Sequence, residues 1–170
     1  IFEQNIAYAD TIIVQTGSME RELLEAYPEL AGRISVISQP PPAWLGTGER
    51  RTTLPDLERI QRSGLRLFFP DAGYPHKNHE LLRKMMARIA ANDDHKSLIE
   101  KVTVTLPENQ KGSLLIQEVG RLDPEGMKRH YEEADALIFP SLAESYGLPL
   151  VEAMWQGVPI VCADRPYARE

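Results

Sequence analysis

The sequence predicts an α/β fold in which a parallel sheet carries helices on both of its faces. Short apolar runs with the length of buried strands alternate along the chain with segments whose apolar residues recur at helical spacing. Helix-start residues follow several of these runs, as they do in the strand–helix units of a parallel sheet. The 170 residues, 42% of them hydrophobic, suffice for one domain, or for one domain and a fragment of another.

The amino-terminal part, residues 1–38, predicts a strand, a helix and a second strand. Residues 11–14 and 34–37 are apolar runs of strand length. Between them, Ser18 is expected to cap a helix that has glutamates in its first turn and ends before Pro28. Residues 39–54 contain three consecutive prolines, two glycines and a charged run, and we interpret them as a stiff linker.

Residues 55–170 predict a second domain of alternating strands and helices. Strands are expected at residues 65–69, 102–106, 114–119, 136–139 and 158–162. Asn78 and Asp123 are expected to cap the helices that follow them, and residues 54–63 have weaker helical spacing. Pro149 should lie in the first turn of the last helix, which Gly157 ends. The expected apolar face of that helix consists of Leu150, Val151, Met154 and Trp155.

Composition limits the classes of function. A net charge of −6 and an isoelectric point near 5.3 argue against a general nucleic-acid binder. The single cysteine, Cys162, lies in an apolar run and is expected to be buried, which fits a reducing compartment. We find neither an apolar run of transmembrane length nor a cleavable signal, and we expect a cytoplasmic location, with the inner face of the membrane as the alternative. Because the first residue is not methionine, we expect a fragment of a longer chain.

Residues 137–162 contain the pattern on which the functional prediction depends: a strand, a polar loop, a helix and another strand. In an open parallel sheet, ligands bind beyond the carboxyl ends of the strands, where helices begin. Backbone N–H groups at the start of the helix attract phosphate, and Gly147 permits close approach. Glu144 in the loop and Glu152 in the helix can accept hydrogen bonds from hydroxyl groups on either side of that phosphate, which predicts a nucleotide sugar. Alternatively, both glutamates are solvated charges that favour the helix dipole.

The same stretch resembles a known family. Phe139-Pro140-Ser141, the run ESYGLP at residues 144–149, and the runs EAM at 152–154 and GVP at 157–159 are similar to the signature of retaining glycosyltransferases of the GT-B fold, in the large family called GT4 or glycosyl transferases group 1. In that signature, seven residues separate two glutamates. The resemblance implies that residues 55–170 form a Rossmann-like domain that binds the nucleotide-sugar donor. It also implies that residues 1–38 are the tail of an acceptor-binding domain, and that the second domain is truncated at its carboxyl end.

Lys77 is the second position that the resemblance marks. Lys77 and Asn78 match a loop in which the family usually has an Arg and a Lys directed at the leaving diphosphate. The Arg usually lies five positions before the Lys, where this chain has Ala72. His76 is a candidate substitute, and a solvated or structural histidine is the alternative.

The resemblance also assigns roles within the candidate site. Glu144 and Lys77 are expected to be catalytic, with Glu144 holding hydroxyls of the donor sugar, while Glu152 is expected to hold the ribose diol. The remaining substrate-binding candidates are Ser145, Tyr146, Gly147, Leu148, Arg121, Leu122 and His76. Arg121 and Leu122 lie where family members usually contact the base, and an ordinary strand-to-helix turn is the alternative. Ser141 and Ser145 are expected either to line the phosphate or to cap the loop.

The implied reaction transfers a sugar from a nucleoside diphosphate to an acceptor hydroxyl, with retention at the anomeric carbon, in polysaccharide or lipopolysaccharide biosynthesis. The run PHKNH at residues 75–79 is similar to mannosyl- and rhamnosyl-type enzymes, so GDP-mannose is the first choice of donor and a UDP-sugar the second. A GT-B nucleotide-sugar epimerase and a non-catalytic nucleotide-binding domain are the alternatives. A glycosidase pair is disfavoured because the two acids are set in a phosphate-binding turn.

The expected partners follow from this reaction. They are the nucleotide-sugar donor and a glycan or lipid-linked acceptor, the latter bound by a missing amino-terminal domain. Nucleic acid is not expected, and peripheral membrane contact is an expectation for the full protein. No cofactor or metal is expected, because the chain has no Asp-x-Asp triplet and no His/Cys cluster with metal spacing. The fragment alone is expected to bind donor and to transfer sugar poorly.

Overall fold

The computed structural model describes residues 2–46, 55–107 and 115–170. The chain divides into two compact units. The first comprises Ile1–Pro40, Glu144–Gly147 and Asp164–Glu170, and the second comprises Pro41–Ala143 and Leu148–Ala163. Residues 47–54 of the predicted linker, together with the start of the strand predicted at 114–119, lie outside the described residues.

The first unit contains a pair of parallel strands, β1 (Ile12–Val14) and β2 (Ile34–Val36), in which Ile12 lies opposite Ile34. Its helices are α1 (Phe2–Asn5) and α2 (Gly17–Ala26). The two strands and the intervening helix were predicted from sequence, and the structure confirms them.

The expected cap of α2 was wrong. Thr16 has an extended backbone, and its Oγ1 accepts a hydrogen bond from the Met19 N–H at 3.3 Å. Ser18 instead lies in the first turn and donates its hydroxyl to Thr16 Oγ1 at 3.1 Å. The helix therefore starts earlier than the run of glutamates indicates.

The second unit is an α/β layer built on five parallel strands, as the sequence predicts. The strands are β3 (Leu65–Phe69), β4 (Ile99–Val104), β5 (Ile116–Glu118), β6 (Ala136–Phe139) and β7 (Ile160–Cys162). They lie in the order β5-β4-β3-β6-β7. The flanking helices are α3 (Leu57–Ser63), α4 (His79–Ala90), α5 (Pro124–Glu133) and α6 (Leu148–Gln156).

The helix boundaries in this unit follow the local signals in the sequence, with one exception. Asp123 caps α5 by accepting a hydrogen bond from the Gly126 N–H at 2.7 Å, and Pro149 lies in the first turn of α6. Gly157, which has a φ of 67°, follows the end of α6. Asn78 precedes α4 as predicted, but it adopts a left-handed conformation with a φ of 60° and makes no side-chain cap.

The core of the second unit lies between the central strands and the helices. Phe68, Phe69 and Phe139 from β3 and β6 are at most 1% exposed, and Tyr131 of α5 is fully buried with them. The Phe68 ring meets Tyr131 edge-on at 5.0 Å, and the Phe69 ring meets Phe139 edge-on at 6.0 Å. The edge-on contact of Phe68 helps fix the Tyr131 ring beneath α6.

Two sequence-based expectations about burial were wrong. Met154 is 62% exposed, and α6 instead buries Leu150, Glu152, Ala153 and Gln156. The helix can bury the carboxylate of Glu152 because that group is hydrogen-bonded within the unit. Cys162 is exposed, because β7 is an edge strand of the sheet in the part of the chain that the structure describes.

Across residues 2–46, 55–107 and 115–170, no helix combines the length and the apolar character that a membrane span requires.

Candidate functional site

The strand order of the second unit creates a switch point between β3 and β6. From β3 the chain continues to β4 and β5 on one side, and then returns to β6 and β7 on the other. In open α/β sheets, the crevice outside the carboxyl ends of the strands at such a point binds ligands. Two loops begin there: residues 70–78 after β3, and the loop that starts at Pro140 after β6.

Hydrogen bonds join these two loops into one framework. The His76 carbonyl accepts the Leu142 N–H at 2.7 Å and the Ser141 hydroxyl at 3.3 Å. The side-chain amide of Asn78 donates to the Pro140 carbonyl at 3.2 Å, and Ser141 is fully buried. The Ser141 hydroxyl therefore links the two loops, and its contact with phosphate stays a prediction.

Lys77 is carried by this framework. Its ammonium lies 5.3 Å from the centroid of the Phe139 ring, at the carboxyl end of β6. Phe139 is fully buried, so the aromatic face provides a fixed support for the positive charge. A cation at this edge of the sheet can stabilise an anionic ligand such as a diphosphate.

A buried contact between His79 and Asp71 closes the loop that carries Lys77. The His79 imidazole contacts the Asp71 carboxylate, whose side chain is fully buried. Burial lowers the pKa of His79, and the charge of Asp71 opposes this effect. The Asp71 N–H donates to Thr105 Oγ1 at 2.6 Å, and the Thr105 hydroxyl donates to the Asp71 carbonyl at 2.7 Å. Both ends of the loop are thus anchored, one of them to the residue that follows β4.

Glu152 lies within α6 and is 7% exposed. The Tyr131 hydroxyl donates to Glu152 Oε2 at 2.7 Å and lies 3.3 Å from the Pro149 carbonyl. Burial raises the pKa of the Glu152 carboxyl, and the hydrogen bond from Tyr131 lowers it in part. Burial, with the adjacent carboxylate, raises the pKa of Tyr131 well above its ordinary value, so the tyrosine stays protonated and keeps donating.

The raised pKa of Glu152 predicts a pH-dependent effect on stability. A carboxyl with a raised pKa binds its proton more tightly in the folded state, so ionising it costs stability. This cost is absent below the ordinary pKa of glutamate and grows as the pH rises through the raised value. In urea unfolding at a series of pH values, Glu152→Gln should gain stability relative to the wild type between about pH 4 and pH 7. A difference that does not change with pH would contradict this assignment.

The predicted residues Glu144, Ser145, Tyr146 and Gly147 belong to the first unit. There, the Ser145 carbonyl accepts a hydrogen bond from the Thr16 hydroxyl at 3.2 Å, and the Ser145 side chain is exposed. Gly147 is buried with a φ of 79°, a conformation that favours glycine. Glu144 and Tyr146 are half-buried. Their contacts with substrate stay predictions.

Other predicted residues lie away from this framework or take part through the backbone. Arg121 is exposed and follows β5, an outer strand of the sheet. Leu122 packs close to Gly126 of α5, since a Cβ at Gly126 would lie 3.3 Å from the Leu122 Cβ. The His76 ring is exposed and stacks on Tyr74 at 5.6 Å. Leu148 is the first residue of α6.

Sequence reasoning missed three residues of this region: Tyr131, Asp71 and His79. Tyr131 lies 21 positions before Glu152 in the sequence. Asp71 and His79 are polar residues at the two ends of a loop, and only the folded loop brings them together. A buried polar group that needs a partner was the available signal, but sequence alone does not identify the partner.

Two further features bear on the choice of site. A groove of about 900 Å³ lies between α4 and the β6–β7 edge, with walls that include Leu81, Met85, Ile89 and Cys162. None of the predicted site residues lines it, so we do not assign the donor to it. Among the described residues, no group of three His, Cys, Asp or Glu side chains is placed to hold a metal ion.

A family model described as Glycosyl transferases group 1 matches residues 58–170. The chain is 26% identical, over an alignment of 185 residues, to D-inositol 3-phosphate glycosyltransferase of Streptosporangium roseum, covering 95% of this chain and 41% of that protein. It is 28% identical over 108 residues to O-antigen chain mannosyltransferase RfbU of Salmonella typhimurium, covering 58% of this chain and 30% of that protein. The chain thus spans 41% or less of the length of these two relatives.

Solved structures share the fold. S. aureus TarM, crystallised as a variant with fondaparinux, alpha-GlcNAc-glycerol and UDP, superposes with a TM-score of 0.71 at 16% identity, covering 96% of this chain and 31% of that one. WaaG, a glycosyltransferase involved in lipopolysaccharide biosynthesis, superposes with a TM-score of 0.62 at 17% identity, covering 92% and 45%. At these identities the similarity concerns the fold alone.

Proposed function

The chain belongs to the glycosyl transferases group 1 family, and on this premise we propose that it is the donor-binding part of a retaining glycosyltransferase. The reaction breaks the bond between the anomeric carbon and the diphosphate oxygen. It forms a bond from that carbon to an acceptor oxygen, with release of the acceptor's hydroxyl proton and a nucleoside diphosphate.

The observation that carries this proposal is the joining of the two loops at the switch point. Hydrogen bonds from Leu142, Ser141 and Asn78 link them, and the resulting framework holds Lys77 over the buried ring of Phe139. This is the edge of the sheet where α/β proteins bind nucleotides. The start of α6 follows the same strand, and helix N-termini favour phosphate.

The catalytic role of Lys77 follows from the charge that develops in the reaction. As the glycosidic bond breaks, negative charge builds on the departing diphosphate. An ammonium held rigidly beside it stabilises that charge without reorganisation in the transition state, and such electrostatic stabilisation is typically the largest catalytic term. We propose no metal for this role. His76 is the candidate substitute for the family arginine, whose position Ala72 occupies.

The two glutamates are assigned to the sugars of the donor. We place the ribose diol at Glu152, whose carboxylate offers more acceptor positions than Tyr131 occupies. The assignment of Glu144 to hydroxyls of the transferred sugar rests on the family signature.

Two observations on similar proteins support the choice of donor. The O-antigen chain mannosyltransferases among the relatives favour GDP-mannose. The TarM structure contains UDP, which keeps a UDP-sugar as the second choice. A glycan or lipid-linked acceptor and a cytoplasmic location complete the proposal.

Calorimetric titration with GDP, UDP and ADP tests donor binding directly. One of these should bind the chain, and Glu152→Gln should weaken that binding about 10- to 100-fold, because a hydrogen bond to a charged group contributes about 1.5–3 kcal/mol. Glu132→Gln on the exposed side of α5 is the matched control and should bind like the wild type.

Failure of all three nucleotides to bind would contradict the proposal, as would equal binding by Glu152→Gln. In the full-length protein, a disaccharide product, rather than an epimerised donor, would separate transfer from epimerisation.

A further inference from the structure

Glu152 is held by a tyrosine to which no role in ligand binding has been assigned. The Tyr131 hydroxyl donates to one carboxylate oxygen, Oε2, at 2.7 Å. The Pro149 carbonyl is the more distant acceptor, at 3.3 Å. The shorter contact joins a neutral donor to a carboxylate, which makes it the stronger of the two.

The tyrosine ring itself has little freedom to move. It is fully buried, and the Phe68 ring meets it edge-on at 5.0 Å. The Trp44 ring stacks on it at 6.3 Å with an interplanar angle of 20°. A buried side chain that contacts two aromatic rings can fix the position of the group that it hydrogen-bonds.

We propose that Tyr131 is a positioning residue that holds the Glu152 carboxylate in the orientation that accepts the ribose hydroxyls of a nucleoside diphosphate. The proposal rests on the proposed function, since it assumes that Glu152 binds ribose. A carboxylate has about four lone-pair positions, and the hydroxyl of Tyr131 uses one of them on Oε2. A diol needs two, and these must keep a fixed direction for both hydrogen bonds to form.

The electrostatics of the pair support this role. Burial raises the pKa of Glu152, which disfavours the ionised form, and the hydrogen bond from Tyr131 acts in the opposite direction. The tyrosine thus helps to keep the carboxylate charged in a buried position, where it accepts hydroxyl hydrogen bonds strongly.

The test compares a ribonucleoside diphosphate with its 2′-deoxy analogue, using the base that the wild type binds best. By calorimetry, the wild type should prefer the ribonucleotide by about tenfold or more, because the deoxy analogue lacks one hydrogen bond to a charged acceptor. Tyr131→Phe keeps the ring and removes the hydroxyl, and its preference should fall to about threefold or less.

The matched control is Tyr27→Phe, which removes a tyrosine–glutamate hydrogen bond to Glu3 in the first unit and should keep the full preference. Trp44→Leu keeps the Tyr131 hydroxyl but removes the stacked ring, so its preference should lie between those of the wild type and Tyr131→Phe. Thermal unfolding of each variant shows whether it is folded at the temperature of the titration.

The outcomes distinguish the ribose-binding role of Glu152 from the positioning role of Tyr131. A wild type that binds nucleotide with no ribose preference removes the assignment of Glu152. If the wild type shows the preference, Tyr131→Phe decides the role of Tyr131. That role is overturned if the folded variant keeps the preference, including the case in which its affinity for both nucleotides falls equally. If Tyr131→Phe does not fold, an unchanged preference in Trp44→Leu overturns it instead.

Discussion

Replacement of Lys77 by methionine is expected, under the proposed function, to lower the rate of sugar transfer about 100- to 1,000-fold, the loss typical of removing one electrostatic stabiliser of a transition state. Methionine keeps an apolar chain that can pack on the Phe139 ring, so the framework of the two loops should persist. The rate is measured from the nucleoside diphosphate released in the presence of acceptor. Nucleotide affinity should fall less than the rate, because the charge that Lys77 stabilises develops during the reaction.

Lys84→Met is the matched control for this prediction. Lys84 lies on α4, is 70% exposed in its side chain, and pairs with Glu80 at 3.4 Å. Its replacement should leave both rate and affinity close to those of the wild type. If the two methionine variants were equally active, Lys77 would not be a catalytic residue.

Truncation of Phe68 to alanine is expected to lower the free energy of unfolding by about 3–5 kcal/mol, the usual cost of deleting a buried aromatic ring. Phe68 is 1% exposed, lies on β3 next to the switch point, and contacts the rings of Tyr131 and His130 at 5.0 and 5.4 Å. Because β3 is the central strand of the sheet, few neighbours can move to fill the cavity. Urea unfolding followed by circular dichroism measures the loss.

Met154→Ala distinguishes the observed packing of α6 from the packing expected from its sequence. The sequence places Met154 on the apolar face, whereas the structure leaves it 62% exposed. The alanine variant should therefore change stability by no more than about 0.5 kcal/mol. A loss of several kcal/mol would show that the helix buries the face indicated by its apolar residues.

The local elements were largely predictable because they depend on nearby residues. The run that forms β6 is apolar throughout, and Asp123 followed by Pro124 marks the start of α5. The cap of α2 was missed because two hydroxyl residues two positions apart, Thr16 and Ser18, are both candidates for that position, and only the folded backbone distinguishes them. The exposure of Cys162 depends on which strand forms the sheet edge, and no local pattern contains this information.

In the candidate site, too, the features set by nearby residues were predictable and the contacts between distant residues were not. Its family motif identified Lys77, Glu144 and Glu152, and their roles stay predictions. No pattern in the sequence indicated that Tyr131 would bond to Glu152, since the two residues lie on different helices. A buried carboxylate must find a hydrogen-bond donor, but several donors in the chain could have met that need.

The sequence by itself determined that strands alternate with helices, where most helices begin and end, and which family motif follows β6, because each depends on residues close together in the chain. Only the tertiary structure decided that Lys77 lies over Phe139 and that Tyr131 holds Glu152. These pairings depend on strand order and helix rotation, which are set by the packing of residues far apart in the sequence.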